Sequence, residues 1–204
     1  MPSRTKKVFF RDYVFNVFEE VYEPAEDSFL FAENLPVGED DYVLDMGTGC
    51  GILGIIAASK AAMVISIDIN PHAVRCAQEN VKLNNITDKL FLVQGDLFTP
   101  LRTEESFDLI LFNAPYLPVN HEKDDPWLGR AWAGGANGRQ VIDRFIPESV
   151  KHLKQDGCVL LMQSTLSNAD ETMRQFKRYD LRTEILAELA LPLFETIVLI
   201  KAEC

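Results

Sequence analysis

At 204 residues the chain is long enough for one domain with a full hydrophobic core. Hydrophobic residues at 47% and charged residues at 25% describe an ordinary soluble globule, and no apolar run approaches the ~20 residues that span a bilayer. The formal net charge of -11 opposes nucleic-acid phosphates, and beyond Arg4, Lys6 and Lys7 no basic cluster overrides it. The cysteines Cys50, Cys76, Cys158 and Cys204 are scattered without a C-x-x-C pair. That predicts a reducing, cytoplasmic setting, with neither a disulfide framework nor a zinc site. Arg11 and Asp12 interrupt the apolar N-terminal stretch too early for a secretory signal.

Residues 8–18 are aromatic and β-branched and read as a short β-hairpin or an extended arm. Tyr22-Glu-Pro-Ala-Glu-Asp-Ser28 then opens a helix to about Asn34, with Pro24 in its first turn and two acids where the dipole favours them. From residue 42 strands and helices alternate. Strands are expected at 42–44, 63–67, 90–93, 107–112 and 158–162, and helices at 52–60, 71–83, 138–153 and 170–179. Asn70-Pro71 reads as an N-cap with Pro at the first helical position, and Pro147 falls inside the fourth pattern, kinking or splitting it. Two last strands, 183–189 and 196–201, follow without an intervening helix. The expected fold is α/β, a doubly wound, seven-stranded, mostly parallel sheet with one antiparallel strand near the edge. Ligands of such sheets bind at the carboxyl ends of the strands.

Gly47-Thr-Gly49-Cys-Gly51 joins the first strand to the first helix. Glycines there let a ligand approach the backbone, and the helix N-terminus beyond suits an anionic group. Gly49-Cys-Gly51-Ile-Leu-Gly54 satisfies the dinucleotide pattern G-x-G-x-x-G. Asp45, however, precedes the glycines, where it repels a pyrophosphate and accepts from an ammonium group. Asp45-x-Gly47-x-Gly49-x-Gly51 therefore suits a ligand with an amino-acid end, such as S-adenosyl-L-methionine. Asp68 ends the second strand, placed for ribose hydroxyls. Asp96 follows the third, placed for an adenine amino group, with the Leu97 N–H beside it for a ring nitrogen. Each acid alone is an ordinary loop residue or cap, but three at the ends of successive strands make a site.

Asn113-Ala-Pro-Tyr116 ends the fourth strand. The Asn113 side-chain oxygen and the Ala114 carbonyl are two acceptors for the two N–H bonds of a planar NH2 group. Pro115 stiffens the loop, and Tyr116 can pack on the flat face of that group. Orientation and two acceptors suit N-methylation of a weak nucleophile, with no strong base needed if the proton leaves late. The structural alternative is an Asx-turn before a proline.

Together these residues resemble a class I S-adenosylmethionine-dependent methyltransferase, with Asn113-Ala-Pro-Tyr116 similar to the N-P-P-Y motif. Tyr22-Glu-Pro-Ala-Glu-Asp-Ser28 and Ala131-Trp-Ala-Gly-Gly-Ala-Asn-Gly-Arg139, followed by Val141-Ile-Asp-Arg-Phe145, resemble the HemK family. The similarity is to its short archaeal and eukaryotic branch of release-factor glutamine methyltransferases, over residues 22–202. The resemblance implies one methyltransferase domain over 1–204, with 1–21 as hairpin or arm. It implies methylation of the glutamine amide in the Gly-Gly-Gln motif of a class I release factor in translation termination, leaving S-adenosyl-L-homocysteine. It further implies cofactor contacts at Ser28, Asp45, Gly47, Gly49, Gly51, Asp68, Asp96, Leu97 and Asn113, with Asn113, Ala114, Pro115 and Tyr116 as catalytic loop and no metal. Ser28 stands where the family more often has Thr, and Ala114 replaces the first Pro of the motif. A small zinc-binding activator protein, pairing along an edge strand to form a heterodimer, is a further implied partner. Phe91, Val93 and Phe98 are the candidate surface for it, or core residues.

His72, His121 and His152 show no relay or metal spacing and are expected on solvated surface. Trp127 and Trp132 read equally as a lid or as anchors of the long loop 116–138, and Glu26 and Asp27 equally as helix-start acids or as cofactor neighbours. Alternative acceptors are an adenine amino group, which acidity disfavours, and a protein lysine. A non-catalytic cofactor-binding scaffold and a nicotinamide dehydrogenase are more distant alternatives.

Overall fold

The computed structural model describes residues 5–119, 127–192 and 195–204. Strands β1 (Lys6–Phe10) and β2 (Tyr13–Val17) form an antiparallel hairpin of their own. The other seven strands form one sheet: β3 (Tyr42–Met46), β4 (Met63–Asp68), β5 (Leu90–Gln94), β6 (Phe107–Asn113), β7 (Leu153–Ser164), β8 (Arg182–Ala190) and β9 (Thr196–Glu203). Their spatial order is β5-β4-β3-β6-β7-β9-β8, as expected of a doubly wound sheet. The strands from β5 to β7 run parallel, and β9 lies second from the edge, antiparallel to both neighbours.

Alternation along each central strand divides the core between the two faces. Val43, Leu109, Leu111 and Leu160 pack with the hairpin and with α1 (Glu26–Glu33), α2 (Ile52–Ala58) and α3 (Pro71–Leu83). Leu44, Ile110, Phe112 and Leu161 pack with α4 (Ile142–Lys151) and α5 (Ala169–Lys177). Among the described residues no helix is long and apolar enough to cross a membrane.

Several element ends differ by a few residues from those expected, and three differences have a clear physical reason. Pro24 lies outside α1, whose N-cap is Ala25, so its fixed φ sets the approach to the helix rather than its first turn. Pro147 sits inside a single ten-residue α4 without splitting it. Burial of Ile142, Phe145, Ile146 and Ser149 along one face keeps the helix whole despite the missing N–H. Its expected C-terminal extension to Leu153 instead opens β7, where Leu153 pairs with Phe107.

The hairpin is fastened to α3 by two asparagines one turn apart. Asn80 Oδ1 accepts from Asn16 N at 2.8 Å, and its Nδ2 donates to Asn16 O and to Cys50 O, each at 2.8 Å. Asn84 repeats the pattern with the N–H and carbonyl of Val14 at 3.1 and 2.8 Å. The two side chains thus do for β2 what a third strand does, and Asn80 also ties the hairpin to the glycine loop. Asn80→Ala removes a partner from the part-buried N–H and carbonyl of Asn16, the latter keeping Cys76 Sγ at 3.1 Å, and from Cys50 O; each buried group left unpaired costs roughly 1–3 kcal/mol. A loss of about 3 kcal/mol or more in chemical denaturation is expected.

Candidate active site

The sheet reverses its winding between β3 and β6, and a cavity of about 480 Å³ opens at the carboxyl ends of the strands there. Its walls bring together Ser28, Gly47, Gly49, Asp68, Asp96, Leu97, Asn113, Ala114, Pro115 and Tyr116. Two of the expected cofactor residues, Asp45 and Gly51, lie behind that wall rather than in it. Gly51 is the N-cap of α2.

The glycine loop is held by backbone and by carboxylates. Gly47 N and Thr48 N both donate to Ile67 O, at 2.8 and 3.1 Å, so the loop curls over the end of β4. Gly49 N donates to Asp68 Oδ2 at 2.9 Å, while Asp68 Oδ1 accepts from Asn70 N at 2.8 Å. Burial raises the Asp68 pKa, and the backbone N–H groups of Asn70, Gly49 and Ile69 oppose the shift. Gly49 has φ +58, and a Cβ built on it meets nothing within 4 Å. The space beside this glycine is left open to the cavity rather than filled by packing.

Asp45 is 1% exposed beneath the loop. Its Oδ2 accepts from Thr48 Oγ1 at 2.5 Å and Ser66 Oγ at 3.2 Å, and its Oδ1 has no partner. Burial, the largest influence, pushes its pKa up to about 6 despite these donors.

Asn113 is the last residue of β6, paired with Met162 of β7. Its Nδ2 donates to Asp27 Oδ2 at 3.0 Å, with Ser28 Oγ 3.4 Å away. Its Oδ1 is buried without a partner. Asp27, 6% exposed on α1, also accepts from Tyr22 OH at 3.2 Å, Tyr116 OH at 3.4 Å and Ser28 N at 2.6 Å. Burial and the neighbouring Asp27 carboxylate raise the pKa of both tyrosines, so their hydroxyls stay protonated and donate. The site therefore presents glycine backbone and acids at one end and an oriented amide with a spare acceptor at the other.

Comparison with known proteins gives this arrangement a lineage. Residues 28–117 match the family of ribosomal protein L11 methyltransferases (PrmA). A protein of Methanocaldococcus jannaschii named putative protein N5-glutamine methyltransferase is 44% identical over 185 residues, 90% of this chain and 91% of its own. The chain belongs to the HemK family of class I methyltransferases. Human methyltransferase HEMK2 is 35% identical over 175 residues, 78% of this chain and 79% of its own. Among solved structures, the Mtq2–Trm112 complex of E. cuniculi, described as responsible for methylation of the termination factor eRF1, aligns with a TM-score of 0.66 at 28% identity. It covers 90% of this chain and 98% of that one.

Other residues of this HemK-family site were not assigned from sequence. Asp27 read equally as a helix-start acid or a cofactor neighbour, and its tertiary contacts, with those of Tyr22, place it beside Asn113. Arg144 Nη2 donates to Asp96 Oδ2 at 2.6 Å across the cavity rim. Trp127 lines the cavity beneath the Arg130 guanidinium, with His72 on its other neighbour α3 at 6.5 Å between ring centroids. The Trp-Ala-Gly-Gly segment runs beside the Asn113 loop. Leu117 N donates to Trp132 O at 2.9 Å, Gly134 N donates to Leu117 O at 2.8 Å, and a Cβ on Gly138 would collide with Tyr116 O. Arg139, buried, anchors the segment by donating to Ser167 O, Asn168 O, Thr172 Oγ1 and Asp143 Oδ1.

One expectation is corrected, and one alternative is decided. His152 is buried rather than solvated, with Nδ1 2.7 Å from Glu105 O and its ring stacked on Phe98 at 5.1 Å. Phe98 is accordingly core, whereas Phe91 on β5 is 52% exposed. His72 is part-exposed beside Glu20, and His121 lies outside the described residues.

The Asp45 pKa, higher in the folded chain than in the unfolded one, makes folding favour the protonated form. Its contribution is fully present below about pH 4 and is lost as pH rises through about 6. Asp45→Asn is therefore expected to remove a decline on the order of 3 kcal/mol between pH 4 and 7, measured by urea denaturation across that range.

Proposed function

We propose that the protein methylates the side-chain amide nitrogen of a glutamine in a protein, that of the Gly-Gly-Gln motif of a class I release factor, using S-adenosylmethionine. The observation that carries this reading is Asn113, which lines a cavity shared with the glycine loop and whose buried Oδ1 has no partner. A buried carbonyl oxygen without a donor costs free energy, and an acceptor NH2 group supplies that donor. The naming of the M. jannaschii relative and the eRF1 methylation ascribed to Mtq2–Trm112 support the same substrate class.

The residues present fit S-adenosylmethionine. The open space beside Gly49 admits a ligand against backbone, and the Asp68 carboxylate at the head of α3 has capacity left for hydroxyl donors. Ser28, Gly47, Gly49, Asp68, Asp96 and Leu97 would hold it. Asp45 would act through Thr48 and Ser66, as the support of the loop. When bound, S-adenosylmethionine supplies an electrophilic methyl group on a sulfonium. This chain's part is to orient and desolvate the acceptor. Asn113 Oδ1 takes one N–H and the Ala114 carbonyl the other, Tyr116 and Pro115 bound the acceptor space, and Trp127 and Trp132 limit water. Positive character growing on the nitrogen is stabilised by the two acceptors, and its proton passes to solvent late.

A class I release factor incubated with the chain and S-adenosylmethionine should gain one methyl group on the Gly-Gly-Gln glutamine by peptide mass spectrometry. Asn113→Ala should lower that rate on the order of 100-fold while cofactor binding by calorimetry stays near wild type. Labelling that survives mutation of the glutamine, or that is greater in RNA or DNA than in protein, sinks the assignment.

The partner proposed is a small zinc-binding protein that adds a strand to β5; the solved complex of the Mtq2 neighbour with Trm112 supports a protein partner. Among the described residues β5 is an edge strand, paired only with β4, and Phe91 on it is exposed. Phe91→Asp should abolish co-purification with that partner while the isolated chain still binds cofactor. Complex formation at wild-type level in this variant would exclude β5 as the docking edge.

A further inference from the structure

We infer that Asp27 is a positioning residue that dictates which end of the Asn113 amide faces the acceptor, with Tyr22 and Tyr116 holding Asp27 in place. The inference rests on the methyl-transfer reading of the site given above and adds a residue to it.

A carboxamide is nearly symmetric in shape, and turning it over exchanges an acceptor for two donors. For a site that must accept from an NH2 group, the wrong face sets donor against donor. Asn113 does not determine its own orientation. Its Oδ1 has no partner, so the choice falls to whatever meets Nδ2. That group is the Asp27 carboxylate, 3.0 Å away. An ionised carboxylate only accepts, so it pairs with the NH2 end and repels the oxygen end. The spare oxygen is thereby forced to the other side. Ser28 Oγ, at 3.4 Å, is a weaker and ambivalent neighbour, since a hydroxyl both donates and accepts.

Asp27 is itself fixed. Oδ1 accepts from Ser28 N at 2.6 Å, Ser28 Oγ at 3.2 Å and Tyr22 OH at 3.2 Å. Oδ2 accepts from Tyr116 OH at 3.4 Å beside its bond to Asn113. Five donors meet a carboxylate with about four lone-pair sites, so it has little left with which to take a substrate proton. Asp27 is thus an anchor and not the general base that a buried acid beside a reacting nitrogen first suggests. The tyrosine hydroxyls remain donors because burial and Asp27 both oppose their ionisation.

The test is Asp27→Asn, which keeps shape but offers Asn113 either end of an amide. With the release factor as substrate, kcat should fall by roughly 30-fold or more, while KM and the S-adenosylmethionine Kd stay within about threefold. Tyr22→Phe, which leaves the carboxylate in place with one donor fewer, should lower kcat by roughly threefold to tenfold at unchanged KM. This second variant carries the test if Asp27→Asn does not fold. In the Asn113→Ala background Asp27→Asn should cost little more, because the two residues act as one unit. Wild-type kcat in both variants overturns the inference. So does a cofactor Kd that weakens in step with activity, which would make Asp27 a cofactor ligand. Asn113→Ala run alongside separates the levels. If it stays active, the reading of the whole site fails. If it is inactive while Asp27→Asn is not, only this inference fails.

Discussion

The site depends on one register across three parallel strands. Asp45 on β3 stands opposite Ser66 on β4 and Leu111 on β6, and Met46 opposite Ile67 and Phe112. That alignment ends the strands at a common level, so the glycine loop, Asp68 and Asn113 emerge side by side. A slip of one residue in β6 would turn Leu111 and Phe112 to opposite faces of the sheet and carry Asn113 away from α1. The register is secured by burial on both faces. Leu44, Leu111, Ile110 and Leu160 are wholly buried, and each belongs to only one of the two core clusters. No alternative pairing satisfies both faces at once.

What was legible in the sequence was whatever is determined locally. The alternation of strands and helices, the Asn70-Pro71 start of α3 and its end at Leu83 depend on period and capping within a few residues, and the structure has them as read. The glycine loop was legible because a strand followed by closely spaced glycines and a helix has few other uses. Asp27 was not legible in the same way. An acid in the first turn of a helix is already explained by the dipole, and its real partner, Asn113, lies 86 residues further along the chain. His152 was misread for a related reason. At the end of a helix a histidine is normally solvated, and only the stack on Phe98 and the Glu105 carbonyl bury it. Pro147 shows the opposite limit, a strong local signal overruled by packing of the α4 face.

Asp45 occupies a middle position. Sequence reasoning placed it correctly at the end of β3 but gave it a ligand to hold directly. In the structure Asp45 does not line the cavity; Thr48, which does, donates to it, and Ser66 donates from β4. The same carboxylate can shape a ligand site through the hydroxyls it fixes, and that distinction between contact and support is invisible in a motif. The glycine pattern carries it no better, since Gly49 lines the cavity and Gly51 two residues on serves the helix.

Asp45 and Asn113 also mark where this fold spends stability. Each has a buried oxygen without a partner, and Asp45 is held protonated well above the usual carboxylate range. Such groups disfavour folding, and they persist because the apolar sheet around them outweighs the cost. The two differ in what relieves them. Asn113 lines the cavity, so an acceptor group bound there as proposed would supply the missing donor and recover that cost on binding. Asp45 does not line the cavity, so nothing bound there meets its unpaired oxygen directly. One of the two residues with an unpaired oxygen thus lines the cavity and the other lies outside its wall. A more stable variant of this chain is accordingly easier to obtain at Asp45, which lies outside the cavity wall, than at Asn113, which lines it.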